Sequence, residues 1–378
     1  MNIGLLGHGT IGIGVDRIIK KRTDMAVTKV MSLVMDDEIG DRLAASIDEI
    51  VNDPEIDTVV EVMGGVHPAF EFVSAALKHG KNAVTANKAL VAACYEELVA
   101  LAKENNVTFR CTASVGGSIP WLINIERANR VNPVESLGGI MNGTTNFIMS
   151  AMTNEGADFD ETLKKAQELG YAEKDPSADI DGPDVRRKLS ISLNVAFGVL
   201  TGEEEIPTAG LRYVTAEDVK NAKAMGRTIK LIASAERKDG VISATVEPAF
   251  LTGDEVMASI PSNFNLVWYR GEDCDLQCFV GQGAGRFPTA YNVVEDLVDL
   301  TEGRTGFYTD SFTPASIDNS NVFRPYYVRS AVTDEYLASV TETTGEGYVI
   351  TRPVNVAEMH AYIKAQIENG NPVFAASV

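Results

Sequence analysis

A short apolar run, residues 2–6, leads directly into Gly7-His8-Gly9-Thr10-Ile11-Gly12 and then into a helix-like segment reaching about Lys21. Few arrangements of backbone satisfy that order. Gly7 permits a tight bend, Gly9 lets a pyrophosphate approach the main chain, and Gly12 lets the helix pack closely on the strand. The N–H groups at Thr10 and Ile11 open the helix and face the phosphates. Six residues alone say little, but a strand before them and a helix after them is the setting that NAD(P) binding requires.

The same rhythm recurs downstream. Ala26 to Val34, Thr58 to Met63, Asn82 to Thr85 and Val107 to Thr112 read as buried strands, with helical segments such as 67–79 and 89–105 between them. Apolar runs alternating with helices predict an α/β fold, here a Rossmann-type doubly wound sheet, mostly parallel. The acidic residue expected about 20 positions after the glycines, past the second strand, is Asp36, with Asp37 beside it. A carboxylate there suits the ribose 2'-hydroxyl of NAD, and no Arg stands at that strand end for the 2'-phosphate of NADP. Lys20, Lys21 and Arg22 are near in sequence, and a merely solvating role for the two acids is an equal alternative, so the reading leans to NAD and leaves NADP open.

Near residue 130 the pattern changes. Asn132-Pro133 breaks the chain before a strand, Glu135 to Met141, and the turn Asn142-Gly143-Thr144-Thr145. Helices over 160–169, 184–200 and from the capping-box-like Thr215-Ala216-Glu217-Asp218 to about Met225 follow, then strands at 241–250, 264–270 and 275–280. This is an α+β substrate and dimerisation domain. Thr301 to Val322 has little periodicity and reads as a linker. Beyond it, strands at 326–332, 347–351 and 373–377 with helices at 334–342 and 355–368 form a small α+β module.

The bulk numbers set limits on function. With 378 residues, 45% of them hydrophobic, the chain has material for at least two cores. A formal net charge of -20 argues against nucleic acid or an anionic membrane as partner. No run approaches the roughly 20 apolar residues of a membrane span. The four cysteines show no disulfide framework, and no signal-peptide pattern opens the sequence, which together point to the cytoplasm. Cys274 and Cys278 would share one face of a strand, buried or, less simply, paired on a metal. Four scattered histidines leave proton chemistry to Lys and carboxylates.

Two stretches concentrate such groups. Thr85-Ala86-Asn87-Lys88 places an amide and a lysine just past a buried strand, at the edge where ligands of parallel sheets sit. The run GYAEKDPSADIDGPDVRRK, from Gly170 to Lys188, carries Glu173, Asp175, Asp179, Asp181 and Asp184 ahead of Lys188. Asp184 and Lys188, four apart on a helix, should meet. Gly170, Pro176, Gly182 and Pro183 punctuate the run and suggest a fixed acidic loop, suited to an ammonium group.

GHGTIG, TANKALVA, SVGGSIP from Ser114, NGTTNFI from Asn142, the long acidic run, and GAGRFPTA from Gly283 to Ala290 occur together in one family's order over about residues 1–302. The chain resembles the homoserine dehydrogenases. That resemblance implies reversible reduction of L-aspartate 4-semialdehyde to L-homoserine by NAD or NADP, in threonine, methionine and isoleucine biosynthesis, by a homodimer or higher homo-oligomer. It gives Lys188 and Lys88 the catalytic lysine roles, with Asp184 beside them. Glu173, Asp179 and Asp184 become substrate-site carboxylates, and Asn87, Lys88 and Gly285 join the glycine turn and Asp36 at the coenzyme. It also implies a discontinuous coenzyme domain, 1–130 plus about 284–302, around a substrate domain at 131–283; beyond the reach of the resemblance, the residue pattern leaves a linker at 303–323 and a module at 324–378. A dehydrogenase of another amino or hydroxy acid is the nearest alternative, and an NAD(P)-sensing regulator a distant one.

Three departures stand out. Family members often place a cation-binding Glu before the SVGGSIP-like segment, where this chain has Thr112; Na+ or K+ would find only carbonyls near Val115 and Gly117, without a fixed negative charge. Arg286 replaces a glycine beside the coenzyme loop, either to meet phosphate or to fill the cleft. The tail from Arg324 begins like an amino-acid-sensing ACT domain but lacks the Arg-Pro-Gly turn and counts one strand too few, which predicts a shortened module with reduced or absent threonine inhibition.

Overall fold

The structure, a computed structural model, describes every residue except 34, 35, 310 and 333. It divides into two compact units, one of residues 1–133, 194–199 and 281–313, the other of 134–193, 200–280 and 314–378.

The first unit carries a five-stranded parallel sheet in the order Ala26–Met31, Asn2–Leu6, Thr58–Glu61, Asn82–Thr85, Phe109–Arg110. Val34, the expected end of the second strand, lies outside the described residues. Helices cover both faces, which is why the strands read as unbroken apolar runs rather than as alternating ones. Ile3 and Leu5 join a core with Val15, Val30, Val60 and Val84 on one face, while Leu6 packs with Ile50, Val59 and Ala76 on the other. Each such side chain contributes roughly 1.5–3 kcal/mol by its burial. The helix Arg286–Thr301 lends Ala290, Val293 and Leu297 to the first of these cores. It crosses the glycine-turn helix, Thr10–Ile19, at Gly14, where an added Cβ would lie 2.8 Å from the Arg286 carbonyl oxygen.

The second unit is built on one mixed sheet of nine strands. Its middle is an antiparallel hairpin, Arg227–Lys238 with Val241–Thr252, closed by Asp239-Gly240, both at positive φ as a tight hairpin turn requires. Val134–Ile140 pairs on one side of it and Ser377 bridges Ala249 on the other. Arg227–Lys238 is the longest strand not expected from the sequence.

The tail also carries one strand more than expected. Tyr326–Ser330, Thr341–Thr344, Val349–Thr351 and Val373–Ser377, with helices Glu335–Val340 and Val356–Glu368, make a β-α-β-β-α-β unit. Its last strand lies beside its first, followed by the third and then the second. The helix expected over 334–342 stops at Val340, and the exposed Thr341–Thr344 is the strand missing from the count. The segment read as a linker is anchored within each unit. Tyr308 is buried, with its hydroxyl 2.7 Å from Thr112 Oγ1, and Asn319 exchanges hydrogen bonds with the backbone of Ala244.

Candidate active site

In the first unit the chain leaves the strand Asn2–Leu6 through Gly7 at φ +96° and enters the helix at Thr10. A Cβ on Gly12 would come within 2.1 Å of the Gly7 carbonyl oxygen, so only glycine lets the helix start this close to the turn. A Cβ on Gly9 would meet nothing within 4 Å, and no side chain caps the helix at that position. The first-turn N–H groups, Thr10 and Ile11 included, are thus left to an incoming anion. The residues present fit a dinucleotide.

Beside the turn, His8 is buried between two carboxylates, with Nε2 3.5 Å from Asp16 Oδ2 and Nδ1 3.3 Å from Asp36 Oδ2. Burial pushes the Asp16 carboxyl up, but Arg42 on both its oxygens and Lys20 at 2.9 Å outweigh that and hold it at about 2. Asp36 accepts from the Glu38 N–H at 2.9 Å, and Arg17 is bound to Glu38. Of the cations near in sequence, Lys20 is therefore committed to Asp16 and Arg22 to Asp24.

At the C-terminal edge of the sheet sits a carboxylate that the sequence reading overlooked. Glu61 is fully buried and accepts from Thr85 Oγ1 at 2.5 Å, Met63 N at 2.7 Å and Asn87 Nδ2 at 3.3 Å. Asn87 also donates to the Gly65 carbonyl at 2.6 Å and caps the helix Lys88–Glu104 by accepting from Leu90 N. Its side chain is used in shaping this edge. Lys88, half-buried, is the first residue of that helix. Gly285, at φ +116°, stands before the helix Arg286–Thr301, and Arg286 is exposed.

The second unit assembles the acidic run. Lys188, on the helix Pro183–Phe197, is buried and donates to Asp184 Oδ2 at 2.7 Å and to the Met141 carbonyl at 2.8 Å. Asn142 caps the helix Gly143–Glu155 through its side-chain oxygen, while its nitrogen donates to Asp179 Oδ1 at 2.7 Å and Asp184 Oδ2 at 3.0 Å. Lys188, Asp184, Asp179 and Asn142 thus form one hydrogen-bonded group. Asp181 is turned to Arg212, and Asp175 accepts from the Ser177 N–H. Glu173 is exposed, and its carbonyl accepts from Gln167, outside that group's bonds.

The loop's backbone is fixed by close approach. A Cβ on Gly210 would overlap the Ile180 carbonyl at 2.3 Å, and Leu211 N donates to that same oxygen. A buried ammonium held by a carboxylate and a carbonyl can stabilise and protonate an oxygen that gains negative charge. Among the described residues no group of three or more His, Cys, Asp or Glu is placed to hold a metal. Cys278 is exposed rather than buried, and Cys274 precedes the strand instead of sharing its face. No helix among the described residues is long and apolar enough to cross a membrane.

Two family models match the chain, that of the homoserine dehydrogenase NAD binding domain over residues 7–112 and that of homoserine dehydrogenase over 120–298. Homoserine dehydrogenase of Bacillus subtilis is 35% identical over 355 residues, 89% of this chain and 82% of its own length. The crystal structure of a homoserine dehydrogenase from Thiobacillus denitrificans, 32% identical, covers 100% of this chain and 97% of its own with a TM-score of 0.86. A hyperthermophilic archaeal homoserine dehydrogenase mutant in complex with NADPH is 28% identical over 80% of this chain and 98% of its own, with a TM-score of 0.68.

Proposed function

This chain belongs to the homoserine dehydrogenase family, and from that premise we propose which residues carry its reaction and which coenzyme it prefers. The enzyme is an oxidoreductase that interconverts L-aspartate 4-semialdehyde and L-homoserine with a nicotinamide coenzyme, which when bound supplies the hydride to the aldehyde carbon. Lys188 holds the proton for the aldehyde oxygen as that oxygen acquires alkoxide character. The observation that carries this role is the seat of Nζ, bonded to Asp184 at 2.7 Å and to the Met141 carbonyl at 2.8 Å. An amine seated between a carboxylate and a carbonyl is placed to donate to an oxygen that gains negative charge.

Asp179 and Glu173 supply the negative charge that the substrate's own ammonium group needs, and Asp184 orients Lys188. Lys88 serves as the second lysine, a partner in proton transfer or an anchor for substrate. Gly7, Gly9, Thr10, Ile11, Gly12 and Gly285 hold the coenzyme, with Asn87 shaping the edge beside it. Asp36, and cations already paired with Asp16, Asp24 and Glu38, support a preference for NAD over NADP.

The enzyme works in the cytoplasm as a homodimer or higher homo-oligomer. Val256, Val280 and Cys278 are exposed, and Trp268 and Leu276 partly so, on the two strands at one end of the nine-stranded sheet and the turn beside them, which supports burial against a second copy. The tail is an ACT-like module whose four strands support that kinship, and without the Arg-Pro-Gly turn threonine inhibition is reduced or absent. Following the absorbance of reduced coenzyme with homoserine and NAD or NADP, for the parent and Lys188→Ala, tests the central assignment. The parent should turn over and the variant lose about 10²–10⁴-fold in kcat; an unchanged variant refutes the role of Lys188.

A further inference from the structure

The turn that follows Thr112 gathers backbone oxygens around one side chain. Gly116 and Gly117, at φ +90° and +58°, fold residues 115–119 back on themselves. A Cβ on Gly117 would lie 2.5 Å from the Gln282 carbonyl oxygen, and Ser118 N donates to that oxygen at 3.0 Å. The turn is thereby pinned to the segment leading into Gly285. Its Gly117 and Ile119 carbonyls converge on the side-chain nitrogen of Asn292, at 2.6 and 2.9 Å, and Asn292 is only 1% exposed.

Converging carbonyls are what a hard cation seeks, and a cation bridging these two oxygens would compete for them with the Asn292 nitrogen. An amide nitrogen carries two N–H donors, and here each has one oxygen. The remaining requirement of a buried cation, a carboxylate free to neutralise it, is also missing among the described neighbours. Thr112 occupies the position before the turn, and Asp296, one helical turn beyond Asn292, is engaged. Its oxygens accept from Thr112 N at 2.9 Å and Thr112 Oγ1 at 2.6 Å, with Arg110 Nε 3.6 Å away. A monovalent cation does not fit these residues.

We infer that the Asn292 amide replaces a monovalent cation at the 115–119 turn, so that this enzyme holds its coenzyme-side loop in place with neither Na+ nor K+. Asn292 is a positioning residue, and the inference rests on the dehydrogenase reading only for its rate assay. The test compares the full-length enzyme in choline chloride, NaCl and KCl at equal ionic strength, by initial rate and by thermal unfolding midpoint. For the parent, both should agree within about twofold and about 1 °C. Asn292→Asp puts a carboxylate against the two carbonyls. That variant should lose tenfold or more of its rate in choline, and recover rate and melting temperature saturably with Na+ or K+. Saturable activation or thermal stabilisation of the parent by either cation overturns the inference, and the parent's melting curves decide it even if the variant does not fold or the rate assay fails. A folded Asn292→Asp enzyme indifferent to the cation in both measurements overturns it as well.

Discussion

Asn142 reaches Asp184 across two helices, its side-chain nitrogen 3.0 Å from Asp184 Oδ2 while its oxygen caps the helix Gly143–Glu155. One side chain therefore has a structural half and a positioning half, and substitution can separate them. Serine caps a helix about as well as asparagine but has no amide nitrogen to offer. Asn142→Ser should keep stability within about 0.5 kcal/mol while kcat/KM for homoserine falls roughly tenfold to a hundredfold, as expected for a small displacement of a reacting group. Asn142→Ala should match that loss and also cost about 1 kcal/mol of stability from the missing cap. Equal activity of the serine variant and the parent would show that the amide positions nothing.

Glu61 organises the edge where the coenzyme fits, accepting from the Met63 backbone, Thr85 and Asn87. Glu61→Gln replaces one acceptor oxygen by a donor facing donors, and leaves at least one buried N–H or O–H unmatched. Urea unfolding should show a loss of about 1–3 kcal/mol, and the coenzyme KM should rise while kcat changes less. An unaltered KM would detach this cluster from the coenzyme site.

Asp36 is held ready by the Glu38 N–H, and Glu38 in turn occupies Arg17. Loss of a charged hydrogen bond to the ribose is worth about 1.5–3 kcal/mol, so Asp36→Ser should lower kcat/KM for NAD by about tenfold or more. Adding Glu38→Gln releases Arg17 and should raise kcat/KM for NADP. If both coenzymes respond alike to Asp36→Ser, the carboxylate does not read the ribose.

The parallel strands of the first unit were legible because burial on both faces writes itself as apolar runs, and Asn82–Thr85 has the same limits in sequence and structure. What escaped was hidden by single residues. Arg227–Lys238 alternates Ile229, Leu231, Ala233 and Ala235, but Lys230 and Arg227 break the look of a core strand. The Asp239-Gly240 turn was the available signal. Thr341–Thr344 is an exposed edge strand of polar residues, with no connecting residue between it and the helix ending at Val340, so periodicity carried the helix through it. In the site, the Asp184 to Lys188 contact follows from helical spacing, whereas Asn142 meets Asp179 and Asp184 only through the tertiary fold. Glu61 left one trace, a carboxylate ending an otherwise apolar strand at the ligand-binding edge.

Lys230 gives the fold a pH dependence with a definite sign. Among the described residues its buried amine donates to neutral acceptors, Asn146 Oδ1 at 2.6 Å and the Ile260 carbonyl at 2.8 Å, with Ser150 Oγ at 3.4 Å. Burial drives it down from 10.5 to about 8. Between those values the unfolded chain binds a proton that the folded chain has released, so folding becomes more favourable as pH rises. Below about 8 the whole penalty, roughly 3 kcal/mol, is present. It is relieved progressively from about pH 8 to 10.5. Lys230→Met lacks the titrating group, so its urea-unfolding free energy should approach or exceed the parent's at pH 7.5, and the parent should gain on it by roughly 2–3 kcal/mol by pH 10.5. Parallel pH profiles for the two proteins would mean that the amine keeps its proton in the folded state through some interaction other than these three.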